Sequence, residues 1–139
     1  MEIWRLGSGL MNLVNVADKD ECVLLIESDL DAAMFIQTAL AEARDGPLAV
    51  ERVANLNDGL ERLNKGGIKA ILLNLFLHDS QDIETFDKIN AVACHVPILI
   101  LSDLVREDIA KLAVQRGALD YLLTVHINSH TLSRAICNE

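Results

Sequence analysis

The polar residues of this sequence that could take part in chemistry stand beside the ends of short apolar runs. They carry carboxylate, amide and hydroxyl groups, and they are Glu27, Ser28, Asp29, Asn74, Ser102, Asp103 and Thr124. They include no pair of a nucleophile and a base, and no cluster of metal ligands accompanies them. We therefore expect a protein that is not an enzyme and that holds no metal ion.

The cysteines and histidines give no further sign of a reactive site. Cys22, Cys94 and Cys137 are far apart and form no C-x-x-C pair, which is typical of free thiols in a cytosolic protein. His126 and His130 would share a helical face, but no third ligand accompanies them. No glycine-rich loop follows the first apolar run, so we expect no nucleotide or flavin cofactor.

The composition is typical of a soluble single-domain protein. Of the 139 residues, 51% are hydrophobic, which is enough for a real core and too many for a disordered chain. The 21 acidic residues outnumber the 12 basic ones and give a formal net charge of −9. This charge disfavours direct binding to nucleic acid or to an anionic membrane surface. No apolar run approaches the roughly 20 residues that span a bilayer, so we expect a cytoplasmic protein.

Residues 1–20 are interpreted as an N-terminal extension and residues 21–139 as one domain. The extension does not read as a signal peptide, because Asn12 and Asn15 interrupt its apolar stretch and its acidic and basic residues offset each other. It is either flexible or packed against a neighbour through its large apolar side chains. Those side chains are Trp4, Leu6, Leu10 and Leu13.

Five segments are predicted to be strands. Three of them, at 22–27, 70–75 and 97–102, are nearly continuous apolar runs that are rich in branched residues. This pattern is typical of parallel strands that are covered on both faces. The weaker candidates at 48–53 and 120–124 are expected nearer the edges of the sheet.

Segments of helical periodicity lie between these strands. They cover about 36–43, 60–63, 83–89 and 105–116, and a last helix begins near Ser129. Asp103 is expected to cap the helix at 105–116, and Gly117 is expected to close it.

Five strands that alternate with five helices predict an α/β fold. Because crossovers are right-handed, we expect a flavodoxin-like (βα)5 three-layer sandwich with a parallel five-stranded sheet in the order 2-1-3-4-5. In this fold a site forms beyond the carboxyl ends of the strands, where the first and third strands diverge. The polar side chains that follow the strands should therefore meet in one crevice.

Four segments at these strand ends resemble the receiver domains of bacterial response regulators, over about residues 20–139. They are VLLIESD, ILLNLFLHDSQDIETF, PILILSDLVRED and RGALDYLLT. No single segment is decisive, but four in the right order at predicted strand ends make a specific signal. The resemblance implies a role in two-component signal transduction.

The resemblance also assigns roles to positions of this chain. The magnesium-binding acids would fall on Glu27 and Ser28, the phosphorylated aspartate on Asn74, the switch hydroxyl on Ser102, the switch aromatic on Tyr121 and the phosphate-contacting lysine on Thr124. Three of these positions fit the family pattern. Ser28, Asn74 and Thr124 do not.

These departures remove the chemistry that the family performs. An acyl phosphate forms on an anionic oxygen, whereas the amide of Asn74 is neutral and a very poor nucleophile. Mg²⁺ prefers anionic oxygens, and Glu27 is the one acid left at a matched position. Thr124 supplies no cation to neutralise a phosphoryl group. We therefore expect a pseudo-receiver that is not phosphorylated on aspartate.

Several single residues have a plain interpretation beside a functional one. The carboxylate of Asp103 would either imitate a phosphate or cap the N-terminus of the helix at 105–116, and the cap is favoured. Tyr121 would be a working switch or an ordinary tyrosine at a sheet margin, with equal support. His78 and Asp82 replace residues common in the family, which suggests an altered loop path, and His78 is interpreted as a solvated loop histidine.

We expect the chain to signal by binding a protein partner or by dimerising, as the regulatory domain of a larger protein with an output domain after Glu139. The resemblance implies that the contact surface comprises the fourth helix, fifth strand and fifth helix, around Lys111, Gln115, Asp120, Tyr121 and Ser133. Two alternatives remain. One is a small-ligand sensor that uses the vacated crevice, and the other is a receiver phosphorylated on a substitute acid, Asp29 or Asp79.

Overall fold

Nine elements alternate along the chain in the computed structural model, which describes residues 22–41 and 49–123. They are β1 (Cys22–Ile26), α1 (Leu30–Ala41), β2 (Val50–Val53), α2 (Leu56–Asn64), β3 (Ile68–Asn74), α3 (Ile83–Val92), β4 (Ile98–Ser102), α4 (Glu107–Gln115) and β5 (Asp120–Leu123). The predicted extension, the last helix and several candidate residues lie outside the described ranges. These residues are Thr124, His126, His130, Ser133 and Cys137.

The five strands form one parallel sheet in the order β2-β1-β3-β4-β5, so the predicted fold and strand order are confirmed. Ile26 at the end of β1 pairs in register with Val53 of β2 and Leu73 of β3. Asn74 at the end of β3 pairs with Leu101 of β4. The carboxyl ends of the central strands therefore meet at one edge of the sheet, where the predicted crevice should lie.

Both faces of the central strands are buried. Leu24, Ile71 and Ile100 belong to the core cluster that also contains Phe86 of α3. Leu72, which points to the opposite face of β3, is 2% exposed. Each such side chain stabilises the fold by about 1.5–3 kcal/mol, which explains why these strands are continuous apolar runs.

The start of α4 differs from the sequence prediction. The helix begins at Glu107, and its N-cap residue Arg106 makes no side-chain cap. Asp103 is not the cap of this helix. Its Oδ1 instead accepts a hydrogen bond of 2.9 Å from the N–H of Arg106, so Asp103 caps the turn that precedes the helix.

The end of α4 agrees with the prediction that Gly117 closes the helix. Gly117 has φ 128°, a backbone conformation that suits a residue without Cβ. Its N–H donates to the carbonyl of Val114 at 3.1 Å, and the N–H of Ala118 donates to that of Ala113 at 2.9 Å. This is the Schellman pattern, which satisfies the last carbonyl groups of the helix.

Helix α2 approaches the sheet closely. A Cβ atom added to Gly59 of α2 would lie 2.8 Å from Cδ1 of Ile26, so the helix rests directly on the end of β1. In the described ranges no helix is long and apolar enough to cross a membrane.

Candidate functional site

The ends of β1, β3 and β4 enclose a crevice with a volume of about 190 Å³. Five of the seven residues predicted from the sequence line it, namely Glu27, Asp29, Asn74, Ser102 and Asp103. Ala32, Leu75, Phe76, Leu101 and Arg106 complete the wall. Ser28 lies beside the crevice and makes its contacts elsewhere.

Asn74 and Glu27 form the central contact of the crevice. Glu27 is 2% exposed, and Nδ2 of Asn74 donates to its Oε1 and Oε2 at 2.9 and 3.1 Å. The N–H of Asp29 donates to Oε2 at 3.2 Å. Oδ1 of Asn74 accepts from the N–H of Phe76 at 2.8 Å. Both ends of the amide are therefore used, and an aspartate at position 74 could not donate to Glu27.

Ser28 connects three loops through the hydrogen bonds of its hydroxyl. Its hydroxyl donates to the carbonyl of Ala54 at 2.5 Å and accepts from the N–H of His78 at 3.0 Å. A carboxylate at this position could accept from His78, but it could not donate to Ala54. The serine at this position therefore has a structural use.

Arg52 of β2 holds the loop that follows β1, and sequence reasoning missed it. Its Nε and Nη2 donate to the carbonyl of Glu27 at 3.1 and 2.7 Å, and Nη2 donates to the carbonyl of Ser28 at 3.2 Å. The sequence places Arg52 in the weaker strand candidate at 48–53, which the structure describes as β2. No sequence pattern identifies carbonyl groups of a neighbouring strand as its partners.

The first of the two substitute acids, Asp29, caps a helix. Oδ1 of Asp29 accepts from the N–H groups of Asp31 and Ala32, at 2.9 and 3.2 Å, in the first turn of α1. Asp29 lines the crevice, but this carboxylate oxygen is directed to the helix N-terminus.

The second substitute acid, Asp79, is not among the crevice residues. It accepts from the N–H groups of Leu56 and Asn57 at 2.8 and 3.0 Å, at the start of α2. Partial burial alone would raise the pKa of Asp79. The hydrogen bonds from the backbone N–H groups of Leu56, Asn57 and Asp79 itself outweigh burial and lower the pKa below its ordinary value.

The turn after β4 forms the other wall of the crevice. Ser102 is 8% exposed, and its hydroxyl donates to the carbonyl of Asp103 at 2.9 Å. The guanidinium carbon of Arg106 lies 3.9 Å from the centre of the Phe76 ring, in a cation–π contact across the crevice. The bond from Asp103 to the N–H of Arg106 fixes this turn.

Tyr121, the candidate switch residue, is bound to the start of α4. Its hydroxyl donates to Oε2 of Glu107 at 2.6 Å, and the ring is half-buried against the core. The hydrogen bond to Glu107, together with burial, raises the pKa of Tyr121 to about 12. Lys111 and Gln115 are exposed on α4, and Asp120 beside Tyr121 is half-buried.

Asp82 keeps a backbone conformation that glycine adopts most readily. Its φ and ψ are 72° and −161°, a region that costs other residues about 1–3 kcal/mol. Its side chain accepts from the N–H of Ile83 at 2.7 Å and caps α3. Asp82 therefore carries backbone strain.

The structure brings together no group of three or more histidine, cysteine or acidic side chains that could hold a metal ion, within residues 22–41 and 49–123. Cys22 is half-buried and Cys94 is exposed, and both are free thiols. Burial raises the pKa of Cys22, which disfavours its reactive thiolate.

Replacing Asn74 by aspartate should destabilise the protein in a pH-dependent way. Asn74→Asp sets a second carboxylate about 3 Å from that of Glu27, which raises the folded-state pKa of the pair above the unfolded value of about 4. The repulsive part of the penalty is then absent below about pH 4 and complete above the folded-state pKa. We expect a loss of about 1–3 kcal/mol at pH 7, measured by urea unfolding.

Asn74→Ala is the matched control, because it also removes the amide donor to Glu27 but adds no charge. Its penalty should depend less on pH between about 4 and 7 than that of Asn74→Asp, because no second carboxylate repels Glu27. An equal pH dependence in both variants would show that the two carboxylates do not interact.

The hydroxyl of Tyr121 should ionise near pH 12, and Glu107→Gln should move its pKa towards the ordinary value of about 10. Tyr121 is the one tyrosine in the sequence, so tyrosinate absorbance reports it alone. Because its folded-state pKa is raised, the bond contributes stability below about pH 10 that is lost as pH rises through the folded-state pKa.

Asp108→Asn is the control for this titration, because it removes a charge from the same helical turn without touching the hydroxyl. Circular dichroism at each pH confirms that the protein is folded. A midpoint near 10 in the folded unmodified protein would contradict the bond between Tyr121 and Glu107.

Solved structures of bacterial signalling proteins share this fold. NtrX from Brucella abortus superposes with a TM-score of 0.70 at 18% identity over 82% of this chain, which spans 26% of the NtrX chain. A response regulator receiver domain from Clostridium thermocellum gives a TM-score of 0.70 at 22% identity, covering 84% of this chain and 90% of that one. The chemotaxis response regulator CheY4 of Vibrio cholerae gives a TM-score of 0.64 at 20% identity, covering 81% of this chain and 92% of the CheY4 chain.

No family model matches the sequence, and no curated protein matches it. The chain therefore has the fold of response regulator receiver domains.

Proposed function

We propose that this chain is a receiver-like module of signal transduction that works without aspartyl phosphorylation, by binding a protein partner or by dimerising. It is a binding module and not an enzyme. The proposal rests chiefly on the hydrogen bonds between the amide of Asn74 and the carboxylate of Glu27. The receiver fold supports the signalling role.

The position that would accept the phosphoryl group is chemically inert. An acyl phosphate needs an anionic carboxylate oxygen as its nucleophile. The Nδ2 group of Asn74 is turned to Glu27, and its carbonyl oxygen accepts from Phe76, so neither atom is available for another reaction. The pocket is thus complete without a phosphoryl group.

The geometry gives little support to a substitute acid. A carboxylate that accepts hydrogen bonds from helix N–H groups is a weaker nucleophile than a free one. Asp29 accepts two such bonds at the start of α1, and Asp79 accepts two at the start of α2. Asp79 also lies outside the crevice wall.

The crevice volume favours an interaction module over a small-ligand sensor. Binding sites for drug-sized ligands usually measure about 300–1,000 Å³. The crevice measures about 190 Å³, and three carboxylates line it, those of Glu27, Asp29 and Asp103. Native mass spectrometry of freshly purified protein is the direct check for a retained ligand.

The surface formed by α4 and β5 is the proposed contact site. Lys111 and Gln115 are exposed there, and Tyr121 connects the two elements through Glu107. An exposed lysine is suited to an acidic partner, including a second copy of this chain with its net charge of −9. Ser133, which completes the surface by resemblance, lies outside the described residues.

The chain is also proposed to be the regulatory part of a larger protein. It spans 26% of the NtrX chain, the rest of which lies outside the superposed region. A module that binds partners through α4 and β5 would pass its signal to such additional domains.

Incubation with acetyl phosphate and Mg²⁺ should leave the intact mass of this protein unchanged, because position 74 offers no nucleophile. A receiver domain with the full set of acids, treated in parallel, verifies the reagent. A gain of one phosphoryl mass would overturn the proposal. The variants Asp29→Asn and Asp79→Asn would then locate the modified acid.

Sedimentation velocity over a range of concentrations should detect self-association. Lys111→Glu should weaken it about tenfold or more, since the reversal adds repulsion between two acidic chains. Lys88→Glu makes the same charge change on α3, outside the proposed surface, and should weaken association less. Monomeric behaviour at every concentration would exclude dimerisation through this surface.

A further inference from the structure

The loop between β3 and α3, residues 75–82, is fastened to its neighbours by side-chain hydrogen bonds. The hydroxyl of Ser28 accepts from the N–H of His78 at 3.0 Å and donates to the carbonyl of Ala54. One serine therefore connects the loops that follow β1, β2 and β3.

Asp79 fastens the same loop to the start of α2. Its two carboxylate oxygens accept from the N–H groups of Leu56 and Asn57 at 2.8 and 3.0 Å. These are two of the first helical N–H groups, which have no partner within the helix. Movement of Asp79 would take away the acceptor of both N–H groups.

The fastened loop is also strained. Asp82 at its end has φ 72° and ψ −161°, which side chains with a Cβ rarely adopt. Strain of this kind persists only where surrounding contacts impose it. The contacts of Ser28 and Asp79 on the preceding residues are suited to this task.

We infer that the loop at 75–82 is a two-state latch, closed by Ser28 and Asp79 and strained at Asp82. In its open state the backbone of Asp82 relaxes, and the N–H groups at the N-terminus of α2 lose the two hydrogen bonds that they donate to Asp79. A partner that binds the loop thereby changes the start of α2 as well. This coupling requires no phosphoryl group, and it stands whether or not the α4–β5 surface binds a partner.

Residue-resolved amide hydrogen exchange of the full chain tests the latch. Ser28→Ala should accelerate exchange of His78 about threefold or more, and also exchange of Leu56 and Asn57, which Ser28 does not touch. Asp79→Asn should accelerate the same three amides about tenfold. Asp58→Asn, which removes a charge from the first turn of α2 outside the latch, should have a much smaller effect.

The strain is tested by comparing Asp82→Gly with Asp82→Ala. Both variants lose the carboxylate cap on Ile83, but only glycine relieves the backbone. The amides of Leu56, Asn57 and His78 are called the latch amides. Their hydrogen exchange should be about fivefold or more slower in Asp82→Gly than in Asp82→Ala. The central amides of β3, including those of Ile71 and Leu72, serve as the reference for global unfolding.

Two results would overturn the latch. In the first, Ser28→Ala changes the exchange rate of the His78 amide alone, which would mean that the contacts of Ser28 and Asp79 act separately. In the second, every variant changes the exchange rates of the latch amides and of the β3 amides by the same factor. This would mean that the loop opens only when the whole domain unfolds.

Discussion

The hydrogen bonds between Asn74 and Glu27 are the contact on which the crevice depends. Glu27 is 2% exposed, and a buried carboxylate is costly unless donors surround it. Asn74 and the backbone N–H of Asp29 supply these donors. Both are neutral groups that donate hydrogen bonds to the buried acid. The amide of Asn74 thereby links the carboxyl ends of the third and first strands, which are already paired through their backbones.

Much of the fold could be predicted because parallel strands buried on two faces leave a simple pattern. The runs that end near Glu27, Asn74 and Ser102 are continuous and apolar, and strand order follows from crossover handedness. Since the strands are parallel, the residues after them had to meet at one edge. This geometry predicts that Asn74 and Glu27 lie in the same crevice.

The contacts that orient the crevice could not be predicted, because they join side chains to the backbone of distant loops. Arg52 binds carbonyl groups of the β1 end, and Asp79 caps a helix that begins 23 residues earlier in the chain. Such bonds depend on loop paths, which no periodicity specifies. The same reason explains the error at Asp103, where one added turn separates the acid from the helix it was expected to cap.

The two departures from the receiver pattern that the structure describes have a common physical character. A carboxylate only accepts hydrogen bonds, whereas an amide or a hydroxyl both accepts and donates. Asn74 uses its added donor on Glu27, and Ser28 uses its own on the carbonyl of Ala54. An acid at either position would leave a buried or half-buried acceptor facing another acceptor. Both side chains are therefore integrated with their surroundings, and each contributes to holding the crevice together.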